Sequence, residues 1–232
     1  MQATVRRLSG NYLLDSFESD CQDFLAERML TKPIMSGEVL YELDAPLLNL
    51  IFPHEGLISY QCTLKDGRTV ERMAVGTDGF VGMQYLIGET RLSSQVVTVI
   101  AGRASWVTVQ DFDAALKKFP GIRPLVRAFF VNEMRGVLQT AVCAGVHTAS
   151  QRIAAWLLRA DDRSQTSRFD ITQRTLANIF GLRLATVSDA CSRLHNAGAI
   201  AHSRGSINIV DRPLLEAQAC ECYEAVRQRQ RG

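Results

Sequence analysis

The 232-residue chain is short of several things that would assign it to a class at once. No stretch approaches the roughly 18 uninterrupted apolar residues that a membrane-spanning helix needs, so no membrane partner is expected. Arg6 and Arg7 stand near the start, but Asn11, Asp15, Glu18 and Asp20 soon interrupt the apolar residues after them. No apolar core of a secretory signal forms there, and the expected location is the cytoplasm. The six cysteines (Cys21, Cys62, Cys143, Cys191, Cys220, Cys222) are too few and too scattered for a disulfide scaffold, and no C-x-x-C pair occurs. Reduced thiols are the default. No nucleophile, base and orienting group appear together, and His54-Glu55 lacks the second histidine of a zinc-protease helix, so no enzyme activity is expected. With 26 Lys+Arg against 24 Asp+Glu, neither an acidic tail nor a polybasic arm describes the whole chain.

What is present is 47% hydrophobic sequence, enough for a real core in one or two domains. Charge is unevenly divided: residues 1–146 hold 14 Lys+Arg and 16 Asp+Glu, residues 147–232 hold 12 and 8. All 12 cations of the second part are arginine, whose planar fork matches phosphate oxygens, which points to an anionic partner.

From Gly37 to Val109 the chain reads as short strands: Val39 to Leu43, Leu47 to Phe52, Leu57 to Thr63, Thr69 to Val75, Gln95 to Ile100 and Ala104 to Val109. That spacing suggests a sandwich or barrel, with Asp66-Gly67 as a hairpin turn and Gly56 and Gly102 among its corners. After Pro120 the period becomes helical. Phe130, Met134, Val137, Ala141 and Ala144 succeed one another at steps of four and three, a heptad seam suited to a parallel homodimer. Leu125, Phe129, Leu138 and Val142 would then cover the barrel side of the same helix.

The most specific signal runs from Ile171 to Leu194. Ala177 is small where two helices must cross, Gly181 supplies a left-handed turn, and Val187 closes the core six residues on. Ala199 to His202 and Ile207 to Val210 flank Ser203-Arg204-Gly205-Ser206 as a hairpin wing. In the second helix Val187, Ala190, Cys191 and Leu194 form the buried stripe, leaving Leu184, Ala185, Ser188, Asp189 and Ser192 outward.

These pieces, with Phe52-Pro53-His54-Glu55-Gly56-Leu57-Ile58-Ser59, Asp78-Gly79-Phe80-Val81-Gly82, Arg152-Ile153-Ala154 and Ala185-Thr186-Val187-Ser188, resemble the Crp/Fnr (cyclic-AMP receptor and fumarate-nitrate regulator) family of bacterial transcription factors across nearly the whole chain. The resemblance implies an α+β chain. It has a cyclic-nucleotide-binding-like β-barrel (jelly roll) over 1–119, a dimerisation helix over 120–147 and a winged helix-turn-helix over 148–232. It also implies a homodimer that binds a palindromic operator in double-stranded DNA, meets RNA polymerase and senses a small molecule or redox state. The polar run 159–169, expected as a loop, matches a region that touches the polymerase in relatives.

The sequence departs from its relatives at the reading face. Ala185 stands where they typically carry Glu, Asp189 where they carry Arg, and Arg183 replaces the usual Ser or Thr cap. Binding is therefore expected to rest on phosphate contacts from Thr172, Gln173, Arg174, Arg183, Thr186, Arg193 and Arg204. Leu184 and Ala185 are placed against thymine methyls, with Ser188 and Asp189 toward base edges and Ser192 on the same face. Asp189 pairing with Arg193 is the local alternative.

In the sensor half Met83 takes the place of the ribose-binding Glu, Ser94-Gln95 the place of the phosphate-binding Arg-Ser, with Arg91 about three residues early. Val137 and Leu138 take the base-reading places. Those six residues are the candidate effector pocket, for an unknown small molecule or a side-chain-filled barrel, and cyclic AMP is not expected to bind. An iron-sulfur cluster is not expected either, since Cys21 stands alone near the N-terminus. Cys143 and His147 are read as a small core residue and a helix-end histidine, or as half of a site shared across a dimer axis. Cys220 and Cys222 would diverge on one helix, so no metal or other cofactor is expected. The rival to DNA binding is a ligand-sensing homodimer whose helix-turn-helix contacts protein.

Overall fold

The computed structural model describes residues 10–203 and 205–230. The chain forms two compact units, one of residues up to 58 with 75–131, the other of 59–74 with 132 onward.

The first unit begins with two short helices, α1 (Tyr12–Asp15) and α2 (Ser19–Ala26). Asn11 caps α1 by accepting from the Leu14 amide at 3.1 Å, and its own amide donates to the Pro53 and Gly79 carbonyls at 2.8 Å each. One buried side chain thus fixes the chain's entry to two later segments. The strands of the sheet are β1 (Leu30–Ile34), β2 (Val39–Tyr41), β3 (Asn49–Thr63), β4 (Thr69–Val75) and β5 (Gln95–Thr108), in the order β1-β5-β3-β4 with β2 also on β5; residues 59–74, the end of β3 and most of β4, are counted with the second unit. The order is an open path, so the sheet is jelly-roll-like and does not close into the barrel expected from the strand spacing.

Two expected pairs of short strands are single long ones. Leu47–Phe52 and Leu57–Thr63 merge into β3 through Pro53 and Gly56, and Gln95–Ile100 and Ala104–Val109 merge into β5 through Gly102. The glycines are sites of close backbone approach rather than strand ends. A Cβ on Gly56 would lie 2.5 Å from the Ile100 carbonyl oxygen, and one on Gly102 would lie 2.2 Å from that of Glu55. β1, which contains Pro33, is a strand the alternation did not reveal, since only Ile34 of its five residues is buried. The Asp66-Gly67 turn joins β3 to β4 as expected, with Gly67 at φ +82°.

Behind β5 come α3 (Val109–Lys118) and α4 (Ile122–Val146). Phe52, Phe80, Phe112 and Phe129 pack with ring centroids 5.0–5.8 Å apart, the apolar centre of this unit. Gly79 must be glycine there, because a Cβ would meet the Phe129 ring at 1.9 Å.

The second unit is built on α5 (Ala149–Ser164), started by a Thr148–Gln151 capping box and buried from Ile153 to Leu158. Around it stand β6 (Arg168–Phe169), α6 (Gln173–Phe180), α7 (Leu184–Asn196), β7 (Ile200–Ser203), β8 (Ser206–Ile209), α8 (Arg212–Gln218) and α9 (Cys222–Gln230). The three short strands pair in the order β6-β8-β7. Residues 159–164, expected in a loop, are the last turns of α5. They stay helical because their charges are satisfied on the body of the unit. Arg212 reaches Asp161, and Asp162 at 2.6 Å, and Tyr223 donates to Asp162 at 2.8 Å. Arg163 donates to Glu133 and to the Ala74 carbonyl, each at 2.7 Å. Trp156 donates its indole N–H to Glu71, on the β3–β4 hairpin, at 2.9 Å.

Candidate functional site

The reading module is set up by its termini. Thr172 caps α6, its hydroxyl accepting from the Thr175 amide at 3.0 Å. Gly181 ends α6 at φ +63°, with its amide and that of Leu182 returned to the carbonyls of Asn178 and Ala177. Arg183 then occupies the N-cap of α7 without a side-chain cap, so the first-turn amides of α7 have no side-chain acceptor from that position. Arg152 lies with its guanidinium 5.3 Å from the Phe180 ring centroid, covering the far side of the turn.

The period of α7 separates its two faces. Val187, Ala190, Cys191 and Leu194 are no more than 4% exposed, against Leu176, Ala177 and Ile179 of α6 in the same core. Leu184, Ala185, Thr186, Asp189, Ser192 and Arg193 are exposed and Ser188 is half-buried. Arg174 and Thr172 are exposed and Gln173 half-buried at the start of α6. Among the described residues Asp189 and Arg193 form no ion pair, so both project from that face. The wing is the β7–β8 hairpin, closed by Gly205 at φ +83° and a 2.8 Å bond between the Ser203 and Ser206 hydroxyls. Arg204 lies outside the described residues.

On α4 the expected seam residues lie on an open face. Val131, Met134, Leu138, Val142 and Val146 are the exposed large apolar residues, with Ala141 and Ala144 also exposed and Phe130 and Val137 half-buried. Leu138 and Val142, expected on the barrel side, are instead 64% and 57% exposed. The buried positions are Ile122, Val126, Phe129, Glu133 and Cys143, and Glu133 pairs with Arg163 on that side of the helix.

Of the sensor residues, Met83 and Ser94 are buried in the first unit. Arg91 is exposed and ion-paired to Asp44 through Nε at 2.9 Å, and Gln95 donates to Glu42 at 2.9 Å. Val137 and Leu138 belong to the second unit. His54, weighed in the sequence only against a protease motif, is buried and bonded to the Ser105 hydroxyl at 2.6 Å, a cross-strand tie.

The cysteines hold the largest departure from expectation. Cys220 precedes α9 and Cys222 begins it, so a helix break separates them and they do not diverge on one helix. Both come together with Cys143 and His147 of the same chain. Burial and the adjacent thiols push Cys143 up to about 12, and burial pushes Cys191 up to about 11, so neither is a reactive thiolate by itself near neutral pH. The sequence signal was the pairing of Cys-x3-His with Cys-x-Cys, and the break at Ala219-Cys220 carries neither proline nor glycine to announce it. The carboxylate and arginine set of Glu71, Glu133, Arg159 and Arg163 also went unseen, since its members are scattered in sequence.

Residues 151–218 match the family described as the Crp-like helix-turn-helix domain. The transcriptional regulatory protein Btr of Bordetella pertussis is 25% identical over 193 residues, 78% of this chain and 77% of Btr. The nitrogen fixation regulation protein FixK of Bradyrhizobium diazoefficiens is 25% identical over 194 residues, 79% of each chain. The structure of FixK2 from Bradyrhizobium japonicum has the same fold, with a TM-score of 0.69 at 20% identity over 83% of this chain and 98% of that one. Among the described residues no helix is long and apolar enough to cross a membrane. Residues 151–218 thus match the Crp-like helix-turn-helix family, and the chain as a whole is similar to transcription regulators that align along more than three quarters of their length.

Proposed function

We propose that the chain works as a homodimer that lays α7 into the major groove of a palindromic operator, drawing affinity mainly from backbone contacts. The observation that carries this reading is the division of α7 into a closed apolar stripe and an exposed face of Leu184, Ala185, Thr186, Asp189, Ser192 and Arg193. Thr172, Gln173, Arg174, Arg183, Thr186 and Arg193, with Arg204 in the wing, are the phosphate-contacting set. The hydroxyl of Thr172 is engaged in capping, so its share comes through positioning of the α6 terminus. Leu184 and Ala185 meet thymine methyls, Ser188 bonds a base edge, and Asp189 accepts from a cytosine amino group. Dimerisation runs along Phe130, Met134, Val137, Ala141 and Ala144, widened by the exposed Val131, Leu138 and Val142. A two-fold pair of reading helices sets half-sites about 34 Å apart, one turn of duplex.

The same reading makes the regulator indifferent to cyclic AMP. Met83 offers no carboxylate for a ribose hydroxyl, and the Arg91 guanidinium is committed to Asp44. The short-spaced N-terminal cysteines of iron-sulfur relatives reduce here to Cys21, buried in α2. Met83, Ser94 and Gln95 of the first unit are the residues to test for another small-molecule effector, Val137 and Leu138 of the second are to be tested by themselves, and RNA polymerase is the partner at the promoter. Selection of bound fragments from random duplexes by the full chain tests the assignment. Enrichment of an inverted repeat whose half-sites differ from the family's usual ones supports it, whereas failure to enrich any duplex by an intact dimer favours a protein-docking module.

A further inference from the structure

At the end of α4, well away from the reading face in sequence, four side chains of metal-ligating type converge. Cys143 lies in the last turn of α4 and His147 directly after the helix end, its amide still donating to the Cys143 carbonyl at 3.1 Å, and Cys220 and Cys222 flank the start of α9. The three sulfurs and one ring nitrogen all lie within 4.8 Å of one another. Cys143 Sγ and Cys220 Sγ are 3.5 Å apart, and Cys222 Sγ is 3.6 Å from His147 Nδ1. A zinc–sulfur bond of about 2.3 Å places tetrahedral neighbours about 3.8 Å apart, so these separations suit one ion shared by four ligands. An iron-sulfur cluster, which distributes its ligands over several irons, asks for a wider cradle.

The surroundings complete the pattern that a bound ion requires. With Nδ1 turned to the sulfurs, the other ring nitrogen of His147 faces the Glu221 carboxylate at 3.2 Å, the outer partner that fixes a ligating imidazole's tautomer. The Gln139 amide donates to Cys222 Sγ at 3.2 Å, a bond that strengthens when the sulfur is a thiolate. The three cysteines are buried. Three thiolates and one dication carry a net negative charge, and the Arg159 guanidinium stands within electrostatic reach of Cys143 and Cys220 to balance it.

We infer that Cys143, His147, Cys220 and Cys222 form a Cys3His site for a single tetrahedral divalent ion of the zinc class, stapling the end of α4 to the α8–α9 corner. On binding, the three thiols each release a proton and the imidazole coordinates in its neutral form, so occupancy falls in acid. The ion makes the C-terminal segment part of the body of the second unit. The site does not depend on whether the chain reads DNA.

Metal analysis of the full chain, purified under reducing conditions without a polyhistidine tag or chelator, tests the site. About one zinc per chain is expected, against near zero for Cys222→Ser and full content for the control Cys62→Ser. Should Cys222→Ser fail to fold, cobalt titration of the stripped wild-type chain gives the answer alone, by the visible absorption of tetrahedral thiolate-bound cobalt. Four results overturn the inference: no cobalt absorption by reduced protein, iron with acid-labile sulfide, a Cys143–Cys220 disulfide in freshly purified protein, or equal loss of metal in Cys62→Ser.

Discussion

Glu71 shows what a single side chain reveals here. Its Oε1 accepts from Trp156, and burial raises its pKa above the usual carboxylate value despite the Ser59 and Trp156 side chains and the nearby Arg159 and Arg163. A carboxyl with a raised folded value contributes stability that is complete below the unfolded value and is lost as pH rises through the folded one. Glu71→Gln keeps an acceptor for Trp156 and removes the charge. The variant should therefore be more stable than wild type at pH 7, with the difference closing below about pH 4, as chemical denaturation across pH will show. A difference that stays constant with pH would mean that folding leaves the Glu71 carboxyl unshifted. None of this was legible in sequence, because Glu71 reads as one more polar residue on an alternating strand. Val187, Ala190, Cys191 and Leu194 were legible, because a helical period states burial directly.

Elements were legible where local chemistry decides them and illegible where distant packing does. Gly181 and Thr172 mark the ends of α6 whatever surrounds them, whereas Gly56 and Gly102 look like strand ends until β3 and β5 lie together. The α4 helix was recognisable by its period, yet Leu138 and Val142 were misplaced, since the side that turns inward carries Glu133, paired with Arg163 30 residues away. Leu138→Glu should convert the proposed dimer to a folded monomer in sedimentation equilibrium, with circular dichroism unchanged. An unaltered dimer would remove this stripe from the interface. The missing cap of α7 invites the opposite kind of change. Arg183→Ser installs a cap and should stabilise the helix by about 1 kcal/mol. In the same variant the proposed Arg183 phosphate contact is lost, so thermal stability and DNA affinity should move in opposite directions. Parallel movement would assign Arg183 a structural role only.

At the scale of the whole molecule the two units divide the labour that the charge split foreshadowed. The first unit carries lysine and arginine against a larger number of acids, while in the second all cations from residue 147 onward are arginine and Arg174, Arg183 and Arg193 lie exposed on and beside the reading helices. Several charges of the second unit are engaged internally, Asp161 and Asp162 by Arg212 and Glu133 by Arg163, apart from the exposed guanidinium groups of Arg174, Arg183 and Arg193. The most direct measurement is the salt dependence of binding to a selected duplex. Four guanidinium contacts from each protomer of the proposed dimer give a slope of log K against log salt of about −7, and removing Arg183 from both protomers should shrink it by about 2. A flat salt profile, or a slope untouched by loss of Arg174 and Arg183, would contradict binding through the phosphate backbone.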